Sequence, residues 1–303
     1  PQLFEEHFFD YDKAAKGMKQ MAWGFFKKMV IADSLAKYVD LVFNNVGEYT
    51  GFAVVLAMVF FSIQIYCDFS GYSDIAIGTA KLLGIDLMQN FNCPYFSGSI
   101  HEFWSRWHIS LSTWFRDYVY IPLGGNRVSK PRHYLNLMIT FLASGLWHGA
   151  SFTFVVWGGL HGVLQIIENL LFGRKLDGGQ GLGRALRVVV VFVLATFAWV
   201  FFRANATSDI PILFGSAAKG WASPAACIAD GFSALSLDAM HGCVLAGAIL
   251  LLFIYDYISL KNDPWELVGQ LNTPLRYVIY AVLLAIILLF QAPGENAFVY
   301  FQF

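Results

Sequence analysis

Charge is scarce in this sequence. Only 14% of its 303 residues are Asp, Glu, Lys or Arg, where soluble domains carry about 25%. From Tyr134 to Ile167 there is none at all. The formal net charge is −1, so no overall field draws the chain to nucleic acid, and no basic block or RNA-binding signature appears. Cysteine is sparse too. Cys67, Cys93, Cys227 and Cys243 stand far apart with no C-x-x-C pair, which argues for buried free thiols over a disulfide framework or a zinc site. The chain opens on Pro1 with no signal-peptide pattern, so its natural start is expected to lie upstream.

Apolar residues fill the gap. They make up 57% of the chain, and 17% of it is aromatic, the balance of a protein whose main solvent is lipid. A membrane span needs about 20 mostly apolar residues. Tyr49–Cys67, Val188–Phe202, Ala239–Tyr255 and Tyr277–Gly294 are candidates. The charge-free run Tyr134–Ile167 would measure about 50 Å as one helix, against a hydrocarbon core of about 30 Å. It is therefore read as two membrane-embedded helices, or as one helix broken near "WHGAS", and about six spans are expected in all. Positive charge in Gly173–Arg187 places that segment in the cytoplasm, and the nearly Lys/Arg-free Ala204–Asp238 outside. Asp177–Arg184, "DGGQGLGR", reads as a linker.

Two segments look interfacial. Met18–Phe43 mixes Trp23, Phe25 and Phe26 with Lys27, Lys28 and Asp33. Ile100–Tyr118 places Trp104, Trp107, Leu111, Trp114 and Tyr118 at helical spacing as an apolar stripe. Arg106, Ser110, Thr113 and Asp117 make a polar one. A single helix is expected there, at the interface or along a wet cavity, with His108 between the stripes, one turn before Ser112. The turn Ile121–Arg127, "IPLGGNR", follows.

Histidine is the chemically informative residue. "HEFWSRWH" fails the H-E-x-x-H zinc pattern, because the second histidine would have to stand at Ser105. His101 and His108, seven apart, are a weaker metal pair, and no metal is expected. His148 and His161 lie inside the charge-free run. An ionisable group at membrane depth is a functional hypothesis by default, whereas a lone histidine in a soluble core is usually a satisfied polar residue. On an unbroken helix His161 would point away from His148. Burial pushes imidazole towards its neutral form, which keeps an acceptor nitrogen. Three readings stay open: a general base in a transferase, a proton relay in a transporter using His148 and Asp74, and a structural scaffold. Trp147 can wall such a site, and Gly145 and Gly149 permit close approach. Arg116 and Asp117 either position neighbours by pairing or form a structural ion pair at the membrane edge.

At these residues the chain resembles the membrane-bound O-acyltransferases, in particular the bacterial alginate O-acetyltransferase, AlgI-like branch. The matching segments are "YCDFSGYSDIAIGTAKLLGI" (Tyr66–Ile85), "NFNCPYFSGSIHEFWSRWHISLSTWFRDYVYIPLGGNR" (Asn90–Arg127) and "YLNLMITFLASGLWHGASFTFVVWGGLHG" (Tyr134–Gly162), with the terminal "FVYFQF". The departure is at the front, where family members carry several more membrane helices. The teichoic acid D-alanyl transferases share "WFRDY" but do not continue with "IPLGGNR", which favours polysaccharide O-acetylation.

The resemblance implies an all-α integral membrane protein, a multi-helix bundle with interfacial or re-entrant helices around a central cavity. Residues 1–303 would form one domain lacking N-terminal helices. The family's catalytic histidine, in W-H-G, falls on His148, and its second, in R-W-H-x-S-L-S, on His108. Trp147, Arg116, Asp117, Ser112 and Asp74 are the candidate substrate-binding residues. No tightly bound cofactor is expected. The donor would be an acetyl thioester such as acetyl-CoA, and the acceptor a secreted polysaccharide, alginate-like or another exopolysaccharide or cell-wall glycan. Partners would be the lipid bilayer and extracytoplasmic acetylation-complex proteins, and the location the bacterial inner membrane.

Overall fold

A computed structural model of the chain describes residues 2–173 and 180–292. Helix α1 (Tyr11–Phe25) runs through a π-helical stretch, Phe26–Ala32, into α2 (Asp33–Phe43). Then come α3 (Phe52–Leu82), the short α4 (Ile100–Arg106) and α5 (Ile109–Phe115), and a second π-helical stretch, Arg116–Tyr120. The rest is α6 (Lys130–His148), α7 (Phe152–Leu171), α8 (Leu182–Arg203), α9 (Asp209–Ala217), α10 (Pro224–Ala234), α11 (Ala239–Ser259), α12 (Pro264–Gly269) and α13 (Thr273–Phe290). No strand occurs among the described residues.

Five of these helices, α3, α7, α8, α11 and α13, are long and apolar enough to cross a membrane, which makes this a multi-pass membrane protein. The sixth expected span is α6. It opens on Lys130, Pro131, Arg132 and His133 and falls short of the others in hydropathy. The break near "WHGAS" is where the sequence puts it. Helix α6 stops at His148, and Ser151 caps α7 by accepting from the Thr153 amide at 3.3 Å. Residues 174–179 of the segment expected in the cytoplasm, including the start of the Gly-rich linker, lie outside the described residues, as does "FVYFQF".

The chain falls into two compact units. One is drawn from Pro1–Tyr38, Ile63–Cys93 and Leu237–Gln302, the other from Val39–Ser62 and Pro94–Ser236. In the first, α1 and α3 run antiparallel with their backbones in near contact. A Cβ on Gly17 would sit 2.6 Å from the Gly78 carbonyl oxygen, and one on Gly24 2.7 Å from that of Gly71. Beside them Lys27 pairs with Asp74 at 2.6 Å, and Lys28 with Asp68 at 2.6 Å and Asp33 at 2.9 Å. Both lysines are buried, which corrects the interfacial reading of Met18–Phe43. The cations are drawn inward because α3 supplies carboxylates to meet them, and a buried charge is tolerated only when so paired.

In the second unit, α6 and α7 form a hairpin held by the same device. A Cβ on Gly145 would run into the Phe154 carbonyl, and one on Gly158 into that of Phe141. Hydrophobic segments gain nothing by leaving lipid for each other, so close van der Waals contact through small residues carries such packing. The turn Ile121–Arg127 forms as expected, with Gly124 and Gly125 at positive φ. The wholly buried Asn136 of α6 pins it by donating to the Leu123 and Gly125 carbonyls, each at 3.1 Å.

The hairpin yields a contrast within one helix. Gly158→Val should cost about 1–3 kcal/mol through overpacking and lower the thermal midpoint of the protein in detergent. Gly159→Ala meets only the flexible Leu142 Cδ2 at 3.4 Å and should be neutral or stabilising, since alanine is the better helix former. Equal effects from the two would refute the packing account.

Candidate active site

A cavity of about 890 Å³ lies within the second unit, with His108, His148, Trp104, Trp157, Ser112 and Arg116 on its wall. His148 is the last residue of α6. Its Nδ1 lies 2.7 Å from the Ser144 carbonyl oxygen. A carbonyl only accepts, so Nδ1 carries the hydrogen and the neutral ring keeps Nε2 as its acceptor nitrogen. Three aromatic rings meet the imidazole edge-on: Trp157 at 5.0 Å between centroids, Trp147 at 5.1 Å and Phe202 at 5.5 Å.

His108 reaches the cavity by a backbone kink. The expected single helix Ile100–Tyr118 is not formed. It is broken at His108, which stands at φ 44, ψ 55 and opens α5. A left-handed non-glycine residue costs on the order of 1–3 kcal/mol and persists only where its surroundings fix it. Here the preceding Trp107, 1% exposed, is locked between Phe103, stacked at 5.5 Å, and Trp199 at 4.9 Å. The kink also dissolves the expected aromatic stripe, since Trp107 is buried whereas Trp114 and Tyr118 are exposed. Helix α4 is anchored at its start by Glu168 of α7, whose carboxylate accepts from the amides of Ile100 at 2.6 Å and His101 at 3.0 Å. Burial first, and the neighbouring His148 imidazole second, pull His108 from the ordinary 6.5 down to about 3. It is neutral at any physiological pH.

The other candidates divide. Ser112 and Arg116 line the cavity. Ser112 Oγ donates to the Trp107 carbonyl at 3.2 Å. Arg116 pairs with Asp117 at 2.7 Å, but Asp117 does not line it. Trp147 is 55% exposed and lies off the wall as well, its ring 6.3 Å from that of His108. Asp74 belongs to the first unit. It pairs with Lys27 there, accepts from Gln20 at 2.9 Å, and borders a different cavity of about 680 Å³. His101 shares the first cavity with His108, its Nδ1 at 3.1 Å from Gln165 Nε2. Among the described residues no group of three His, Cys, Asp or Glu is arranged to hold a metal. Trp157, Gln165 and Glu168, none of them a candidate from the sequence, also line the cavity. With His161 they recur at helical spacing along α7, and that periodicity was the available signal.

Residues 3–176, more than half of the chain, match the sequence model of the membrane-bound O-acyltransferases. The chain belongs to this family. It is 50% identical over 194 residues to the "Probable alginate O-acetylase AlgI" of Azotobacter vinelandii, a match covering 64% of this chain and 38% of that protein. It is 38% identical over 218 residues to the "Peptidoglycan O-acetyltransferase" of Helicobacter pylori, covering 71% and 41%. With the "Teichoic acid D-alanyltransferase" of Bacillus subtilis it shares 30% over 162 residues, covering 50% and 40%. The chain thus spans about two fifths of the length of these relatives.

The lowered His108 value sets a pH dependence. Between about 3 and 6.5 the unfolded chain binds a proton that the folded site refuses. The contribution to stability is therefore complete above about pH 6.5 and declines as pH falls towards the folded value. The thermal midpoint in detergent should drop between about pH 7 and pH 5, and His108→Gln should show a smaller drop. An identical drop in both proteins would contradict the burial of a neutral imidazole.

Proposed function

We propose that the protein is a membrane O-acetyltransferase that passes acetyl groups towards hydroxyls of a secreted polysaccharide, with His148 as general base. The reading rests on one observation above the others: His148 and His108, 40 positions apart in sequence, line one cavity. The family, and the O-acetylases among its similar members, support the reaction class. An acetyl thioester such as acetyl-CoA is the donor, and polysaccharide or extracytoplasmic acetylation proteins receive the group. The bacterial inner membrane is the site of action. The family match runs through segments of both compact units, in keeping with a single domain.

The chemistry follows from the tautomer. A thioester already carries a good leaving group, so the demanding step is to make an oxygen nucleophile near neutral pH. With Nδ1–H held by the Ser144 carbonyl, Nε2 takes the hydroxyl proton as oxygen attacks the thioester carbon. The departing thiolate takes a proton back. A positioned base contributes about 10²- to 10⁴-fold. His108, neutral and close by, hydrogen-bonds or orients without adding charge. Ser112 and Arg116 stand as lining groups.

Variants of the intact protein test this. His148→Ala and His148→Gln should each lose about 3–5 kcal/mol of transition-state stabilisation while inserting into the membrane normally. His108→Ala should cost less. Incubation with labelled donor and no acceptor separates base from nucleophile: a base leaves no label on the chain, whereas an acyl-imidazole leaves a labile one. Robust transfer by His148→Gln would end the proposal.

A further inference from the structure

His161 is wholly buried and does not line the cavity, so a direct part in the reaction is closed to it. Its surroundings are nevertheless built around the cavity wall. Its Nδ1 accepts from Trp104 Nε1 at 3.3 Å, which leaves the ring hydrogen on Nε2 in the neutral form. Three indoles meet the ring edge-on: Trp104 at 4.9 Å and 87°, Trp157 at 5.2 Å and 75°, and Trp199 at 6.2 Å and 61°. Phe103 lies parallel to it at 6.4 Å. Trp104 and Trp157 both line the cavity, and Trp157 is the ring that stands against His148 at 5.0 Å. Trp157 is 2% exposed, and its own Nε1 has no hydrogen-bond partner. No polar contact fixes that indole, so its orientation depends on the rings packed against it.

We infer that His161 is a positioning residue for the transfer reaction, acting on His148 through Trp157 and fixing the neighbouring wall ring, Trp104, by accepting its hydrogen bond. Imidazole suits the place for two reasons. It is a flat ring that can pack edge to face with several aromatics at once. It also offers an acceptor to the part-buried Trp104 N–H, which would otherwise lose its partner. Phenylalanine would supply the first property and glutamine the second. Neither supplies both.

The inference rests on His148 being the base, and the experiment keeps the two claims apart. His161→Ala, His161→Gln, Trp157→Phe and the double variant His161→Ala/Trp157→Phe are measured in the intact protein in lipid, with His148→Ala as reference. His161→Ala should lower kcat by on the order of 10- to 10²-fold, the scale of an ångström-level misplacement, with the donor KM little changed. His161→Gln should recover part of that loss. The two single losses should not multiply in the double variant, because removing His161 has little left to disturb once Trp157 is changed. Unchanged kcat in His161→Ala, or losses that multiply fully, would overturn the inference while leaving the base intact. Full activity in His148→Ala would instead overturn the base. If His161→Ala does not fold, the same tests on His161→Gln decide: a kcat loss that fails to multiply with Trp157→Phe supports the inference, and an independent loss refutes it.

Discussion

The near contact of α6 and α7 is the constraint on which the rest of this site depends. No charged residue lies between Tyr134 and Ile167, so neither salt bridges nor hydrophobic transfer can bring these helices together inside lipid. What remains is van der Waals contact, and it is strong only when backbones approach closely. Gly145 and Gly158 provide that approach by having no Cβ to set against the opposite carbonyls. The position of His148 then follows. It ends α6 one turn after Ser144, whose carbonyl fixes its tautomer, and it lies against Trp157 one residue before the glycine that admits the close contact. Gly145, Gly158 and His148 of "SGLWHGASFTFVVWGGLHG" are thus parts of one device.

The first unit applies the same packing rule and adds buried charge. Gly17–Gly78 and Gly24–Gly71 bring α1 against α3, and the lysines just beyond α1 meet carboxylates on α3. Such pairs contribute little net stability, because the cost of desolvation consumes most of the Coulombic gain. Removing one partner, by contrast, is expensive. Their effect is to specify which faces of α1 and α3 meet. Asp74 belongs to this network.

Much of this was legible in the sequence. Apolar run lengths mark five of the six expected spans, and the length of the charge-free run requires a break, which falls at "WHGAS". A histidine within a charge-free run singles out His148 as a candidate from sequence alone. The kink at His108 was not legible. Neither glycine nor proline marks it, and a regular 3.6-residue pattern runs straight through Trp107 and His108. The break is enforced from outside, by Trp107 locking against Phe103 and Trp199, and α8 is about 90 residues further along the chain. The same limit explains Lys27 and Lys28. Their aromatic and charged neighbourhood reads as interfacial until α3, 40 or more residues on, supplies the counter-charges Asp68 and Asp74. His161 was read as pointing away from His148 on an unbroken helix. The hairpin folds it back to within one indole of that ring.

The proposed chemistry requires His148 Nε2 to meet the reacting atoms inside the cavity of the second unit. A cryo-electron microscopy structure of the intact protein with a non-hydrolysable ketone analogue of the acetyl thioester tests this most directly. The predicted result is the analogue's carbonyl carbon beside His148 Nε2, with His108 lining the same chamber. An analogue seated elsewhere, in the cavity bordered by Asp74 for instance, with nothing reactive near His148, would contradict it.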